Sequence, residues 1–139
     1  MLHNKYSSPQ PTTTTMTKFN VLAFPSNDFH QEKETNEEIL SYVQTNFPEV
    51  TFPLFSRAPL SSNMVFQLCQ KQTQSKVEWN FHKFLVDGDG KCVKSYGHRV
   101  QPMDIEEDIV RLIMLEEEKR KSGGAGAGGN GGLKVPVTY

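Results

Sequence analysis

Two short polar–aromatic runs hold neutral side chains able to donate hydrogen bonds to an anion. The first is Phe24-Pro25-Ser26-Asn27-Asp28-Phe29-His30-Gln31-Glu32 and the second is Trp79-Asn80-Phe81. Gln31 and Asn80 each carry an amide NH2, and Trp79 carries an indole N–H that only donates. Such donors, aimed at one point, favour the ionised form of an acid placed there. A thiol is the acid whose ionised form makes a nucleophile, and the chain has two, Cys69 and Cys92. Each of these residues also has a plainer explanation. A lone Trp in a small domain serves mostly as packing; Asn80 suits a strand edge and Gln31 a solvated loop. Cys69 lies among Phe66 and Leu68, and Cys92 on an apolar strand, where a free thiol behaves as a small apolar group. No metal is expected. His3, His30, His82 and His98 show no ligand spacing with the cysteines. Asp87-Gly88-Asp89-Gly90 fails as a calcium loop, which needs Gly at its sixth position and an acid at its twelfth. Cys92 and His98 stand there.

The elements that must position these groups are legible from periodicity. Phe19 to Phe24 is an apolar run ended by Pro25, a buried strand closing into a loop. Thr35 and Glu38 form a capping box, and Ile39, Leu40, Val43 and Phe47 follow at helical spacing until Pro48. Val50 to Phe55 is extended but broken by Pro53, so at most an edge element. Asn63 to Gln70 makes a short helix. Trp79 to Asp87 and Lys91 to Tyr96 are strands joined by Gly88-Asp89-Gly90, a tight hairpin. Met103 to Lys121 is an amphipathic helix with Ile105, Ile109, Leu112 and Ile113 as its stripe and Glu116–Arg120 and Glu117–Lys121 on its wet face. Strand, helix, hairpin, helix is the order of the second half of a thioredoxin-like α/β domain.

Taken jointly, these blocks resemble the glutathione peroxidase family. Val77-Glu78-Trp79-Asn80-Phe81-His82-Lys83-Phe84-Leu85-Val86-Asp87 is similar along its length to that family's Trp-Asn-Phe strand. Asn36-Glu37-Glu38-Ile39 follows Gln31-Glu32 at the family's offset, and Phe52-Pro53-Leu54-Phe55-Ser56 resembles its Phe-x-x-Phe-Ser segment. The resemblance covers about residues 18 to 115. It implies an α/β, thioredoxin-like fold of glutathione peroxidase type and the thiol-dependent reduction of hydroperoxides as part of an oxidative stress response. Gln31, Trp79 and Asn80 would be the catalytic donors around a reactive Cys or selenocysteine. Glutathione or a thioredoxin-type protein would be the reducing cosubstrate, with no bound cofactor. The family's longer oligomerisation loop has no counterpart between Ser56 and Trp79, which implies a monomer.

The chain departs from the family in ways that matter. The family's reactive residue follows a strand that precedes the Phe19–Phe24 strand and starts a helix. Such a strand–helix–strand unit needs about 30 residues. Only eighteen residues precede Phe19, and none is Cys. Ser26 stands where many members have Cys, and the loop to Gln31 is one residue shorter than usual. The missing strand is the central one, between Phe19–Phe24 and the hairpin. The fold is therefore expected to be incomplete at its N-terminus, marginal in stability, and inactive as written; a shortened gene product explains this better than an evolved fold. The alternative reading is a non-catalytic thioredoxin-like scaffold or binding protein.

Composition bounds the rest. At 139 residues, with 15 basic and 16 acidic groups, this is one domain without a basic stripe for nucleic acid. No apolar stretch approaches the ~20 residues of a membrane span, and no secretory leader is evident. Residues 1–17 are Ser/Thr/Pro-rich and read as a disordered leader. Residues 18–121 form the partial domain, and 122–139 a Gly-rich flexible tail. Two cysteines make no disulfide scaffold, so free thiols in a reducing, cytoplasmic compartment are expected, with an organelle as the alternative.

Overall fold

The computed structural model describes residues 19–123 and the backbone of residues 133–138. Strand β1 is Phe19–Phe24, helix α1 Asn36–Asn46, helix α2 Met64–Thr73, strand β2 Lys83–Val86, strand β3 Cys92–Tyr96, helix α3 Glu106–Ser122 and strand β4 Leu133–Thr138. Single 3-10 turns at Leu60–Ser62 and Pro102–Ile105 lead into α2 and α3. The reading of residues 1–17 as a leader, and most of that of 122–139 as a tail, lies outside the described residues.

The helices begin where the sequence places their caps. Thr35 accepts from the Glu38 backbone N–H while the Glu38 side chain reaches back to the Thr35 N–H, so two orphan donors are satisfied at once. Asn63 caps α2 by accepting from Val65 and Phe66. The hairpin turn closes with the Gly90 N–H on the Asp87 carbonyl, and Gly90 takes φ +85°, a conformation that suits a residue without Cβ.

The four strands form one mixed sheet in the order β1-β4-β2-β3. β4 runs parallel to β1, with Phe19 opposite Leu133 and Phe24 opposite Thr138. It runs antiparallel to β2, with Lys83 opposite Val137 and Val86 opposite Lys134. The central position expected to stand empty is thus held by residues read from sequence as part of a flexible tail. The route has a physical reason. α3 returns along the sheet until Lys119 lies 3.5 Å from Asp89 of the β2–β3 turn. The chain therefore leaves α3 at the end of the sheet where β4 begins, and β3, α3 and β4 make a crossover between parallel strands.

Side chains alternate across the sheet and divide the core in two. Phe19, Leu85 and Tyr96 pack under Ile105, Ile109 and Ile113 of α3. Phe24, Phe84, Val86 and Cys92 pack under Phe66 and Cys69 of α2. The polar edge of the first half is tied by Asp108, which accepts from Lys94 at 2.7 Å and from Tyr96 at 2.8 Å. The Lys94 hydrogen bond chiefly holds the Asp108 carboxyl below its ordinary range. Burial pushes the Tyr96 hydroxyl well above its own. The mixed sheet with helices packed on it is consistent with an incomplete thioredoxin-like α/β fold.

Two further expectations are corrected. The strand expected over Trp79–Asp87 begins only at Lys83, because residues 79–82 turn and Phe81 takes φ +61°. The cysteines expected to be free are bonded to each other, Cys69 on α2 to Cys92 on β3, with Cα atoms 5.2 Å apart. The residue types on α2 and β3 do not announce which of them will face; the packing of α2 on the sheet, which puts Cys69 and Cys92 in one core cluster, does. A cross-link over a separation of 23 residues restricts the unfolded chain enough to stabilise the fold by about 3 kcal/mol. Denaturant titration with and without a reducing agent tests this: the midpoint should fall by that equivalent on reduction, and Cys69→Ser should reproduce the shift without reductant.

A candidate donor site at the end of the sheet

The site is built where β1 ends and β2 begins. Past Phe24 the chain is fixed by its own polar groups. Ser26, fully buried, donates to Asp28 at 2.5 Å, and Asp28 also accepts from the Leu60 N–H at 2.6 Å. Asn27 accepts from the Glu32 N–H at 3.2 Å, and its carbonyl accepts from the His30 N–H at 3.0 Å. His30 takes φ +56°, an uncommon conformation for a residue with Cβ. This turn aims the next residue, Gln31, across the end of the sheet.

Opposite it lies the turn of residues 79–82. Asn80 is 2 % exposed and donates from Nδ2 to Gln31 Oε1 at 2.6 Å, across 49 residues. Trp79 is 42 % exposed and lies against Phe29, with ring centroids 5.2 Å apart. All three candidate residues therefore come to one end of the sheet. They differ in role. Asn80 is interior, Gln31 joins it from the loop, and Trp79 sits on the outside with its ring on Phe29. Gln31 accepts through Oε1, which leaves its NH2 out of the bond to Asn80. Asn80 Oδ1 is buried without a hydrogen-bond partner, and buried polar atoms rarely remain so.

A cleft of about 530 Å³ opens beside this pair. Gln31 and Asn80, with Glu32 and Lys33, supply its polar lining; Ile39 and Val43 of α1, Phe52 and Leu54 form much of its apolar wall. α1 is held over the cleft at its first turn, where Asn36 accepts from the Arg57 N–H at 2.7 Å and Arg57 Nη1 donates to the Glu34 carbonyl at 3.1 Å. Ile39 is the one residue of α1 that is fully buried.

Sequence inspection missed Lys83. It is 5 % exposed, and its ammonium donates to the carbonyls of Phe81 at 2.6 Å and Val100 at 2.8 Å. That anchors the left-handed turn carrying Asn80. The signal was a lysine inside the buried run His82–Asp87, where a charge is costly unless hydrogen-bonded. Burial lowers its pKa. The acidic groups Asp87, Asp89 and Glu116 also converge at the hairpin end. There Asp87 already caps the N–H groups of Asp89 and Lys91, and Lys119 lies on Glu116 at 2.8 Å.

His82 gives the site a pH dependence. Its Nε2 is 2.8 Å from Ser95 Oγ; burial first, then the Lys83 ammonium, hold its pKa below the ordinary 6.5. The unfolded chain takes up this proton near 6.5, and the folded one only at lower pH. The contribution of His82 is thus fully present above 6.5 and is lost as the pH falls from there towards the lowered folded value. Denaturation midpoints should fall as the pH is lowered from about 7.5 to about 5.5. His82→Gln, which can still meet Ser95, should flatten that slope.

No family model matches the chain. It is 35% identical over 103 residues to a probable mitochondrial phospholipid hydroperoxide glutathione peroxidase 6 of Arabidopsis thaliana, covering 68% of this chain and 44% of that protein. It is 38% identical over 101 residues to a probable phospholipid hydroperoxide glutathione peroxidase of Mesembryanthemum crystallinum, covering 67% and 59%. Glutathione peroxidase 7 of Mus musculus is 35% identical over 108 residues, covering 72% and 58%. The chain spans roughly half the length of these curated relatives.

Proposed function

We propose a function on the premise that these relatives supply: the chain belongs to the glutathione peroxidase family. The function is thiol-dependent reduction of hydrogen peroxide or organic hydroperoxides, and this chain carries the donor half of the site. The observation that supports it best is the 2.6 Å bond joining Asn80 to Gln31 in the polar lining of an otherwise apolar cleft. In the reaction a thiolate attacks one peroxide oxygen. An S–O bond forms, the O–O bond breaks, and the departing oxygen takes a proton, leaving a sulfenic acid. Gln31, Trp79 and Asn80 would stabilise the thiolate before attack by hydrogen bonding to its charge. Two equivalents of a reducing thiol, from glutathione or a thioredoxin-type protein, would then return the sulfur to its resting state and release water.

Both cysteines of this chain are bonded to each other, so the reacting sulfur is not one of its resting thiols. That observation favours the second reading, a non-catalytic thioredoxin-like scaffold or binding protein. It also weakens the argument for a reducing compartment, since disulfides persist mainly in oxidising ones. We place the chain in the cytoplasm or an organelle, as a monomer. Among the described residues no helix is long and apolar enough to cross a membrane.

The assay is hydrogen peroxide turnover with glutathione and with thioredoxin as reductants. The chain itself should stay well below a typical enzyme rate of ~1 per second. Thr138, the last residue of β4, pairs with Phe24 beside the site. Thr138→Cys should therefore introduce a thiol with a lowered pKa, read from thiolate absorbance, together with measurable turnover. Trp79→Phe added to that variant should cut the rate more than the stability. An ordinary thiol pKa and no gain in rate would leave the scaffold reading.

A further inference from the structure

β4 is joined to α3 by residues 123–132, of which seven of ten are glycine. Glycine restricts the backbone least, so the sequence of this connection does not dictate which sheet the strand enters. What holds β4 is main-chain pairing on both sides: six residues in register with β1, and Val137 and Lys134 in register with β2. Main-chain pairing recognises an extended segment and its direction. The strand also under-fills its slot. Pro136, opposite Leu22, has no N–H to give, and proline is ordinarily kept to sheet edges.

We infer that the gap between β1 and β2 is a strand-binding site, filled in cis by Leu133–Thr138 and open in trans to the same segment of a second copy. The identical segment is complementary by construction, and exchanging it between copies adds no new contact type. A tether of this length gives its own strand an effective concentration on the order of millimolar. The closed monomer therefore dominates in dilute solution, and exchange between copies occurs when chains fold together near or above that concentration.

The test keeps every residue downstream of the tether in place. A protease site replaces residues 125–128 in the full chain, which is then cut or left uncut, and a fluorescein-labelled peptide of residues 133–139 is added to each. The cut chain should bind the peptide saturably, one per chain, about tenfold or more tighter than the uncut chain. A peptide with Val135→Pro and Val137→Pro, which lacks further donors, should not compete. Uncut chains bearing two different tags should co-purify as a mixed dimer when unfolded and refolded together at about millimolar concentration, and should not at micromolar. Equal binding to cut and uncut chains, equal competition by the proline peptide, or no mixed dimer at the higher concentration would each overturn the inference. If cutting abolishes the near-ultraviolet circular dichroism of the core, its recovery on adding peptide supports the inference and its failure to recover sinks it.

Discussion

β1 and β2 each turn a row of backbone N–H and C=O groups towards the same gap, and a strand is what satisfies both rows at once. Buried backbone groups left unpaired are costly, so the sheet cannot close until something fills that gap. β4 does, and the rest of the molecule inherits its geometry. Two strand spacings set β1 and β2 about 10 Å apart. The loops that leave them must therefore cross the end of β4 to meet, and Gln31 and Asn80 do meet there. The donor pair is in this sense a consequence of the central strand, although β4 contributes no residue to it.

The site stands on irregular backbone. His30 and Phe81 both occupy the left-handed region, at some cost for residues with Cβ. The surroundings over-determine them: Asn27 and Asp28 pin the first turn, and the Lys83 ammonium pins the second. A buried ammonium with carbonyl partners is a demanding anchor, since both hydrogen bonds must hold for burial to be tolerable. That demand makes the turn stiff. A stiff turn is what a donor such as Asn80 requires if it is to stabilise charge without reorganising.

Much of this was legible in the chain, and the limits are physical. The capping box at Thr35, the hairpin at Gly88–Gly90 and the Ile105/Ile109/Ile113 stripe depend on local chemistry, and each is seen where its residues place it. The family blocks located Gln31, Trp79 and Asn80 on neighbouring loops. Local pattern failed where an outcome depends on distant partners. Leu133–Thr138 is too short and too close to a Gly-rich run to announce a central strand; it becomes one because two strands elsewhere lack a neighbour. Cys69 and Cys92 look like packing residues until the packing of α2 on the sheet brings them together. Trp79 looks like core, yet the turn at Phe81 carries it to the surface.

The position of the disulfide decides what it can contribute to chemistry. Lys83, at the site end of β2, pairs with Tyr96, whereas Cys92 pairs with Val86 at the other end. Three residues of strand separate those ends by ~10 Å. Cys92 and Cys69 also pack with Phe66 and Phe84 in the half of the core covered by α2, out of solvent. Donors at one end of a sheet cannot stabilise a thiolate buried at the other, because hydrogen-bond stabilisation needs contact. Reducing the bond would free two thiols in an apolar part of the core, away from the donors at the other end of the sheet. The cysteines of this chain therefore belong to its stability, and any sulfur that Gln31 and Asn80 were to serve would have to lie at the end of the sheet where β1 stops and β2 starts.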